Sequence, residues 1–430
     1  MTPAARIAAA IDILGDIETR GRPAADALKD WGLAHRFAGS GDRAAISGLL
    51  FDALRRKSSS AWLMGESSPR AEVLGALRQT RGLALDAIAA LFTGQGHASP
   101  PLTDAERTRL ATADLSEAPA HVAGDFPEWL TPQFEASFGA DAAEEGRALA
   151  ERAPVDLRTN LLKTTRDKAL VALAHLSPQP TPLSPVGLRI AIRSDGRGPA
   201  LGAEPTYVKG LVEVQDEGSQ LAALLGEAKP GMQVLDLCAG AGGKTLAMAG
   251  AMDNRGQIYA TDADGRRLAP IFDRLARSGA RNVQVRAPRA QADVLADLDE
   301  RCDLVMIDAP CTGSGAWRRN PDAKWRMRPG ALEQRMKDQD EALESAVRFV
   351  KRGGRIVYVT CSVLRAENED RTAAFLARHV DMLPIDAAAQ ARRAGLPALA
   401  GHASRFGPGF RLSPRRTGTD GFYVATLTRV

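Results

Sequence analysis

The sequence predicts an α/β protein. Its C-terminal half reads as an open, doubly wound sheet, preceded by a small mixed α/β region and a helical N-terminal segment. Three observations predict this. From about residue 226 short apolar runs alternate with helical stretches: MQVLDLC, GQIYATD, RNVQVRA, CDLVMIDAP and GGRIVYVTC. Short apolar strands separated by helices imply a parallel sheet covered on both faces. A glycine-rich turn follows the first of these strands, and ligands of such sheets lie at the carboxyl ends of the strands. At the other end of the chain, Ile7, Ile11 and Leu14 recur at helical spacing.

The 430 residues are 44% apolar and 25% charged, which argues against a largely disordered, collagen-like or coiled-coil chain. The length suits about three domains. No run of about 18 apolar residues occurs, so no membrane span is expected. Arg6, Asp12 and Asp16 interrupt the N-terminus, which does not read as a secretory signal, so the expectation is cytoplasmic. The four cysteines, Cys238, Cys302, Cys311 and Cys361, show no CxxC or Cys/His zinc spacing. Reduced thiols and no metal are expected. The net charge of +4 says little about partners.

Residues 1 to about 95 read as helical, with a second apolar run from Ala45 to Ala53 and two short helices between 73 and 92. Residues 95–128, rich in Gly, Ser, Pro and Ala, read as a linker or irregular connection. A helix is expected near 141–152, then a strand and helix in APVDLRTNLLKTTRD. The regular strand–helix alternation follows, closed by a final strand in DGFYVATLTRV.

The turn Cys238-Ala239-Gly240-Ala241-Gly242-Gly243-Lys244-Thr245 joins a strand to a helix. Glycine lets a ligand approach the backbone, and a helix start offers free N–H groups. Two ligand readings compete, beside a plain tight turn. A phosphate loop needs GxxxxGK[ST]; Gly243-Lys244-Thr245 fits its end, but Cys238 stands at the first glycine. A Rossmann-like cofactor loop predicts an acid at the end of the next strand, and Asp262 sits there. The combination favours an adenosine-containing cofactor without a phosphate cradle, such as S-adenosylmethionine.

Cys311 and Cys361 each follow a strand, at the sheet edge that carries this loop. A buried cysteine is usually an inert apolar residue, which is the reading for Cys302. For Cys311 and Cys361 two thiols and the carboxylate of Asp308 would converge on one pocket. Methylation of a pyrimidine at C5 needs that set. A thiolate adding to C6 makes C5 nucleophilic, a carboxyl group steadies the adduct, and a second thiol can aid release. Lys244 is the cationic candidate to favour the thiolate.

The segments VQDEGSQ (214–220), LDLCAGAGGKT (235–245), TDADGRRL (261–268), DAPCTGSG (308–315), TCSVLRAENE (360–369) and DGFYVA (420–425) together resemble the Sun/Nop (Fmu/RsmB-type) family of RNA cytosine-C5 methyltransferases over roughly residues 127–430. The resemblance implies a Rossmann-like, class I methyltransferase domain at 226–430, preceded by a small α/β RNA-binding module at 129–225. It implies that Cys238, Ala239, Gly240, Ala241, Gly242, Gly243, Lys244, Asp262, Arg267 and Asp308 hold S-adenosylmethionine. Asp308 would also orient the cytosine. Cys361, in a Thr-Cys pair, would be the nucleophile, and Cys311, in a Pro-Cys pair, would assist release. DNA cytosine methyltransferases use the Pro-Cys thiol instead, so Thr360-Cys361 points to RNA. Two departures stand out. Ala241 replaces a frequent proline, and Arg289 stands near the place of an aspartate that flanks adenine, with Asp293 shifted. Residues 1–128 resemble a NusB-like helical RNA-binding domain with its linker, through Gly41-Asp42-Arg43-Ala44 and Leu54-Arg55.

Two basic surfaces are candidates for RNA. Trp317 to Arg328 carries five basic residues and two tryptophans, among them Arg318, Arg319, Lys324 and Arg326. Basic groups neutralise phosphate and aromatic faces stack on bases; the plainer reading is a solvated loop with anchoring tryptophans. Arg158, Asn160 and Lys163 form the second, where an Arg/Asn pair on a strand is as readily structural. The expected partner is RNA, ribosomal before transfer RNA, presenting a single-stranded or flipped cytosine to a monomer. A non-catalytic RNA-binding assembly factor and a P-loop NTPase are the rivals.

Overall fold

The structure, a computed structural model, describes residues 1–192 and 198–430. The chain divides into two compact units, Met1–Arg152 with Trp317–Arg328, and Ala153–Ala316 with Pro329–Val430. Neither expected boundary, at 128 or at 225, separates them.

The first unit is helical. Its opening helix, Pro3–Arg20, starts where the Thr2 side chain accepts the Ala5 N–H and ends at Gly21, whose φ of 61° is left-handed. With Ser40–Arg55, Lys57–Met64 and Pro69–Gln79 it surrounds a core of Ile7, Ile13, Leu14, Ile46, Leu50 and Leu74. The stretch expected as an irregular linker contains the helix Asp104–Thr112. Thr103 and Glu106 cap it reciprocally, a start signal that outweighs the Gly/Pro-rich flank.

Residues 317–328 join this unit through buried anchors. Trp317 stacks on Phe134 with centroids 5.8 Å apart. Lys324 Nζ donates to the carbonyls of Arg55, at 3.1 Å, and Asp125, at 2.6 Å. Trp325 Nε1 donates to the Leu54 carbonyl.

The second unit holds two sheets. The smaller is antiparallel, in the order β2-β3-β1-β4, from β1 (Val155–Thr159), β2 (Gln179–Pro180), β3 (Gly187–Ile190) and β4 (Val212–Val214). Leu157, Leu188 and Val212 pack beneath it on Ala169 and Leu173.

The larger sheet runs β10-β12-β9-β8-β5-β6-β7, with β11 on β12. Its strands are β5 (Gln233–Asp236), β6 (Gln257–Ala260), β7 (Val283–Val285), β8 (Cys302–Asp308), β9 (Val350–Thr360), β10 (Met382–Pro384), β11 (Phe410–Leu412) and β12 (Phe422–Arg429). The five expected strands, β5 to β9, are parallel. The last strand is not: β12 pairs antiparallel with β9, β10 and β11, so the sheet is mixed. Alternate residues of the strands face opposite cores. Val234, Leu304, Met306 and Val357 point to one, and Leu235, Val305, Ile307, Ile356 and Tyr358 to the other. Strand order reverses between β5 and β8, which opens a crevice at their carboxyl ends.

Among the described residues no helix is long and apolar enough to cross a membrane, and no group of three or more His, Cys, Asp or Glu is arranged to hold a metal ion.

Candidate active site at the carboxyl edge of the large sheet

The turn after β5 is built around close approach. Gly242, with φ of 80°, begins the helix Gly243–Ala251; a Cβ there would lie 2.4 Å from Ile271 Cγ1. Asp262, just beyond β6, accepts the N–H groups of Gly240 and Asp264, each at 3.0 Å, and Arg267 Nη1 lies 3.8 Å from it. Asp236, fully buried, accepts from Thr245 Oγ1 at 2.6 Å, while its Oδ1 has no hydrogen-bond partner among the described residues. Burial pushes the Asp236 carboxyl up to about 7. Burial also raises the Cys238 thiol well above its ordinary value.

These segments line a cavity of about 570 Å³. Its walls are Leu237, Cys238, Thr261, Asp262, Asp264, Arg267, Pro288, Val294 and Pro310, with Arg335, Asp338, Glu341, Ala342 and Ser345 of the helix Pro329–Val347. Near β7 the wall is therefore Pro288 and Val294. Asp293 instead pairs with Arg348 at 2.7 Å, and Arg289 bridges Ala292.

Lys244 is 6% exposed and its Nζ lies 2.7 Å from Asp308 Oδ2, and 5.4 Å from the Phe422 ring. The neighbouring Thr245 hydroxyl is held by Asp236. A phosphate loop needs both of these side chains free for phosphate and magnesium, so the local chemistry disfavours that reading.

The parallel pairing of β8 with β9 sets Asp308 opposite Val359 and brings the segments beyond them together. Cys311 Sγ lies 3.3 Å from Cys361 Sγ. The Gly315 N–H donates to the Cys361 carbonyl, and the Ser314 and Ser362 hydroxyls meet at 2.9 Å. The hydrogen bond to Cys361, then burial and the nearby Glu367 charge, push the Cys311 thiol well above its ordinary value. Cys302, buried at the start of β8, has its thiol pushed up to about 12 and behaves as an apolar residue.

Glu367 was missed from the sequence, although it lies within TCSVLRAENE. It is fully buried, accepts from Thr312, Ser362 and Gln339, and so joins the residue after each cysteine. The only sequence signal was a hydroxyl residue following each thiol.

Most of the nominated basic residues are buried or half-buried, while Arg326 is exposed. Arg158 is buried with Nε on Gln215 Oε1 at 2.6 Å, and burial lowers its guanidinium to about 10. Asn160 is buried, donating to the carbonyls of Gly210 and Ser278. Both are structural rather than exposed RNA contacts. Arg318 and Lys324 are buried in the first unit and Arg319 is half-buried there. Arg326 is ion-paired with Asp322 at 3.1 Å. Tryptophan burial draws this segment inward, which the basic composition did not reveal.

A family model described as 16S rRNA methyltransferase RsmB/F matches residues 223–428, and a ferredoxin-like domain of RsmF/B-like methyltransferases matches 126–195. The ribosomal RNA small subunit methyltransferase B of Shewanella oneidensis is 30% identical over 304 residues, 70% of this chain and 67% of that protein. The chain belongs to the RsmB/F methyltransferase family. The family's enzyme from Sodalis glossinidius is 34% identical over 315 residues, and a probable one from Synechocystis 34% over 257. The matches span 65% and 57% of those proteins' lengths. Two solved structures share the fold. PH0851 superposes with a TM-score of 0.74 at 23% identity, over 100% of this chain and 99% of that one. NSun6 from Pyrococcus horikoshii with SFG superposes with a TM-score of 0.60 at 22% identity, over 71% and 98%.

Proposed function

We propose that this chain is an S-adenosylmethionine-dependent cytosine-C5 methyltransferase of small-subunit ribosomal RNA, working in the cytoplasm. The observation that carries the reading is the meeting of two thiols, Cys311 and Cys361, 3.3 Å apart at the edge that also carries the Asp308–Lys244 pair. Family membership supports the RNA substrate.

The residues present fit the cofactor. Leu237, Pro288, Val294 and Ala342 offer apolar walls for an adenine, and Asp262 offers carboxylate oxygens to ribose hydroxyls. When bound, S-adenosylmethionine supplies an electrophilic methyl group.

The protein's own groups do the rest. The target cytosine leaves its stack, because no thiol reaches C6 of a stacked base. The Cys361 sulfur adds to C6, and the electron pair of the C5–C6 double bond moves to C5, making it the nucleophile toward the methyl group that the bound cofactor would give up, leaving as the thioether. Asp308, held by Lys244, hydrogen-bonds the base edge. Loss of the C5 proton to a base then restores the double bond and expels the Cys361 thiolate. Cys311, 3.3 Å from that sulfur, assists the release.

Tritiated S-adenosylmethionine with small-subunit RNA from cells lacking the gene tests this. Label should enter one cytosine, located by bisulfite mapping. Absence of label with any cellular RNA overturns the reading.

A further inference from the structure

Three guanidinium groups lie over the Phe406 ring, Arg365 at 4.9 Å, Arg405 at 4.8 Å and Arg411 at 5.4 Å from its centroid. Two of them are held by acids: Arg365 by Asp370 at 2.9 Å and Arg411 by Glu369 at 2.7 Å. Arg405 is exposed and has no carboxylate partner among the described residues. The cluster is also fixed to the segment that bears Cys361. Arg411 Nη2 donates to the carbonyl of Val363, two residues beyond that cysteine, and Arg365 lies four residues beyond it. From the other side, Ser404 donates to Glu369 and accepts the Phe406 N–H, while the Tyr423 hydroxyl donates to the Pro408 carbonyl.

We propose that Arg405 and Phe406 form an RNA-contact site that grips a nucleotide flanking the cytosine presented to Cys361. The inference rests on the RNA-methyltransferase reading and deepens it. A flipped base leaves its neighbours unstacked, and the enzyme must hold them. The half-buried Phe406 ring and the exposed Arg405 guanidinium over it offer flat surfaces on which a base can stack, and Arg405, with no carboxylate partner among the described residues, offers a fork for phosphate. The basic residues nominated from the sequence do not fill this role in the second unit: Arg158 and Asn160 are buried there, and the 317–328 segment belongs to the other unit. The acids near the ring face Arg365 and Arg411, so the charge left over is that of Arg405.

The test uses the full chain and a short single-stranded oligoribonucleotide with a single cytosine, its binding followed by fluorescence anisotropy over a salt series. Arg405→Ala should raise Kd about fivefold and lower the salt slope by about one. Phe406→Ala should raise Kd similarly with the slope unchanged, and Phe406→Tyr should restore binding, since stacking needs only the ring. Arg255→Ala, an exposed charge loss in the turn leading into the amino end of β6, should bind like the wild type. S-adenosylmethionine affinity, unchanged throughout, reports that the fold is intact. Wild-type RNA affinity in both alanine variants overturns this site alone. A wild-type chain that binds no RNA overturns the RNA reading and this site with it. A variant that loses binding to polyglutamate while keeping RNA affinity makes the cluster a protein-docking face and overturns the proposal.

Discussion

Thr312 donates its backbone N–H to one oxygen of Glu367, at 2.8 Å, and its hydroxyl to the other, at 2.5 Å. Ser362 donates to the same carboxylate, and Gln339 links it to the Pro310 carbonyl. One buried acid therefore ties together the residues next to Cys311 and Cys361. In Glu367→Gln the amide nitrogen faces donors instead of accepting from them. Urea denaturation should show a loss of about 2–4 kcal/mol, and methyl transfer should fall at least about tenfold. A wild-type midpoint and rate would refute the tie.

The thiol pair gives two opposite phenotypes. Cys361→Ala should lower methyl transfer by about a thousandfold or more and leave S-adenosylmethionine affinity intact. Cys311→Ala should instead accumulate a slow-migrating protein–RNA species on a denaturing gel. A Cys311→Ala sample with cofactor and RNA that shows no such band contradicts the release role.

The same proximity makes the pair oxidisable. Diamide should join Cys311 to Cys361, found by mass spectrometry as one linked peptide pair, with activity lost and then regained in dithiothreitol. Finding both thiols free after oxidation would argue against their contact at 3.3 Å.

Asp236 predicts a pH effect of definite sign. Its carboxyl stands at 3.8 in the unfolded chain and is raised by burial to about 7 in the fold. Between those values the folded protein holds a proton that the unfolded chain has lost. Asp236 therefore stabilises fully below the lower value, and that contribution drains away as pH rises toward 7. Asp236→Asn keeps an acceptor for Thr245 and cannot titrate. From about pH 4 to about pH 8 the wild type should lose about 2–4 kcal/mol relative to the variant. Parallel stability curves would show that Asp236 ionises normally.

Lys324 separates structure from binding. Its charge is buried, and burial lowers its amine to about 7. Lys324→Met strands the carbonyls of Arg55 and Asp125. It should cost about 2–4 kcal/mol of stability with the salt slope of RNA binding unchanged. A lower slope at full stability would restore Lys324 as an RNA contact.

How much of this was legible in the sequence follows from the range of each interaction. Gly240, Gly242 and Asp262 were readable because a strand, a tight turn and a second strand's end are local patterns with fixed spacing. Cys311 and Cys361 were readable because each ends an apolar run, and parallel neighbours align such ends. The antiparallel pairing of β12 was not, since Phe422–Arg429 is equally apolar in either direction. Glu367 was hidden because its partners come from three separate segments. Lys324, Arg158 and Asn160 misled because side-chain type reports charge but not burial; their carbonyl and amide partners are distant in sequence.

The membership of Trp317–Arg328 in the first unit has a consequence for biosynthesis. The places of Trp317 on Phe134 and of Lys324 on the Arg55 and Asp125 carbonyls stay empty until those residues leave the ribosome. At ordinary elongation rates that delay is roughly 9–35 s. During it the Phe134 ring lacks its stacking partner, and the late-arriving dodecapeptide covers it.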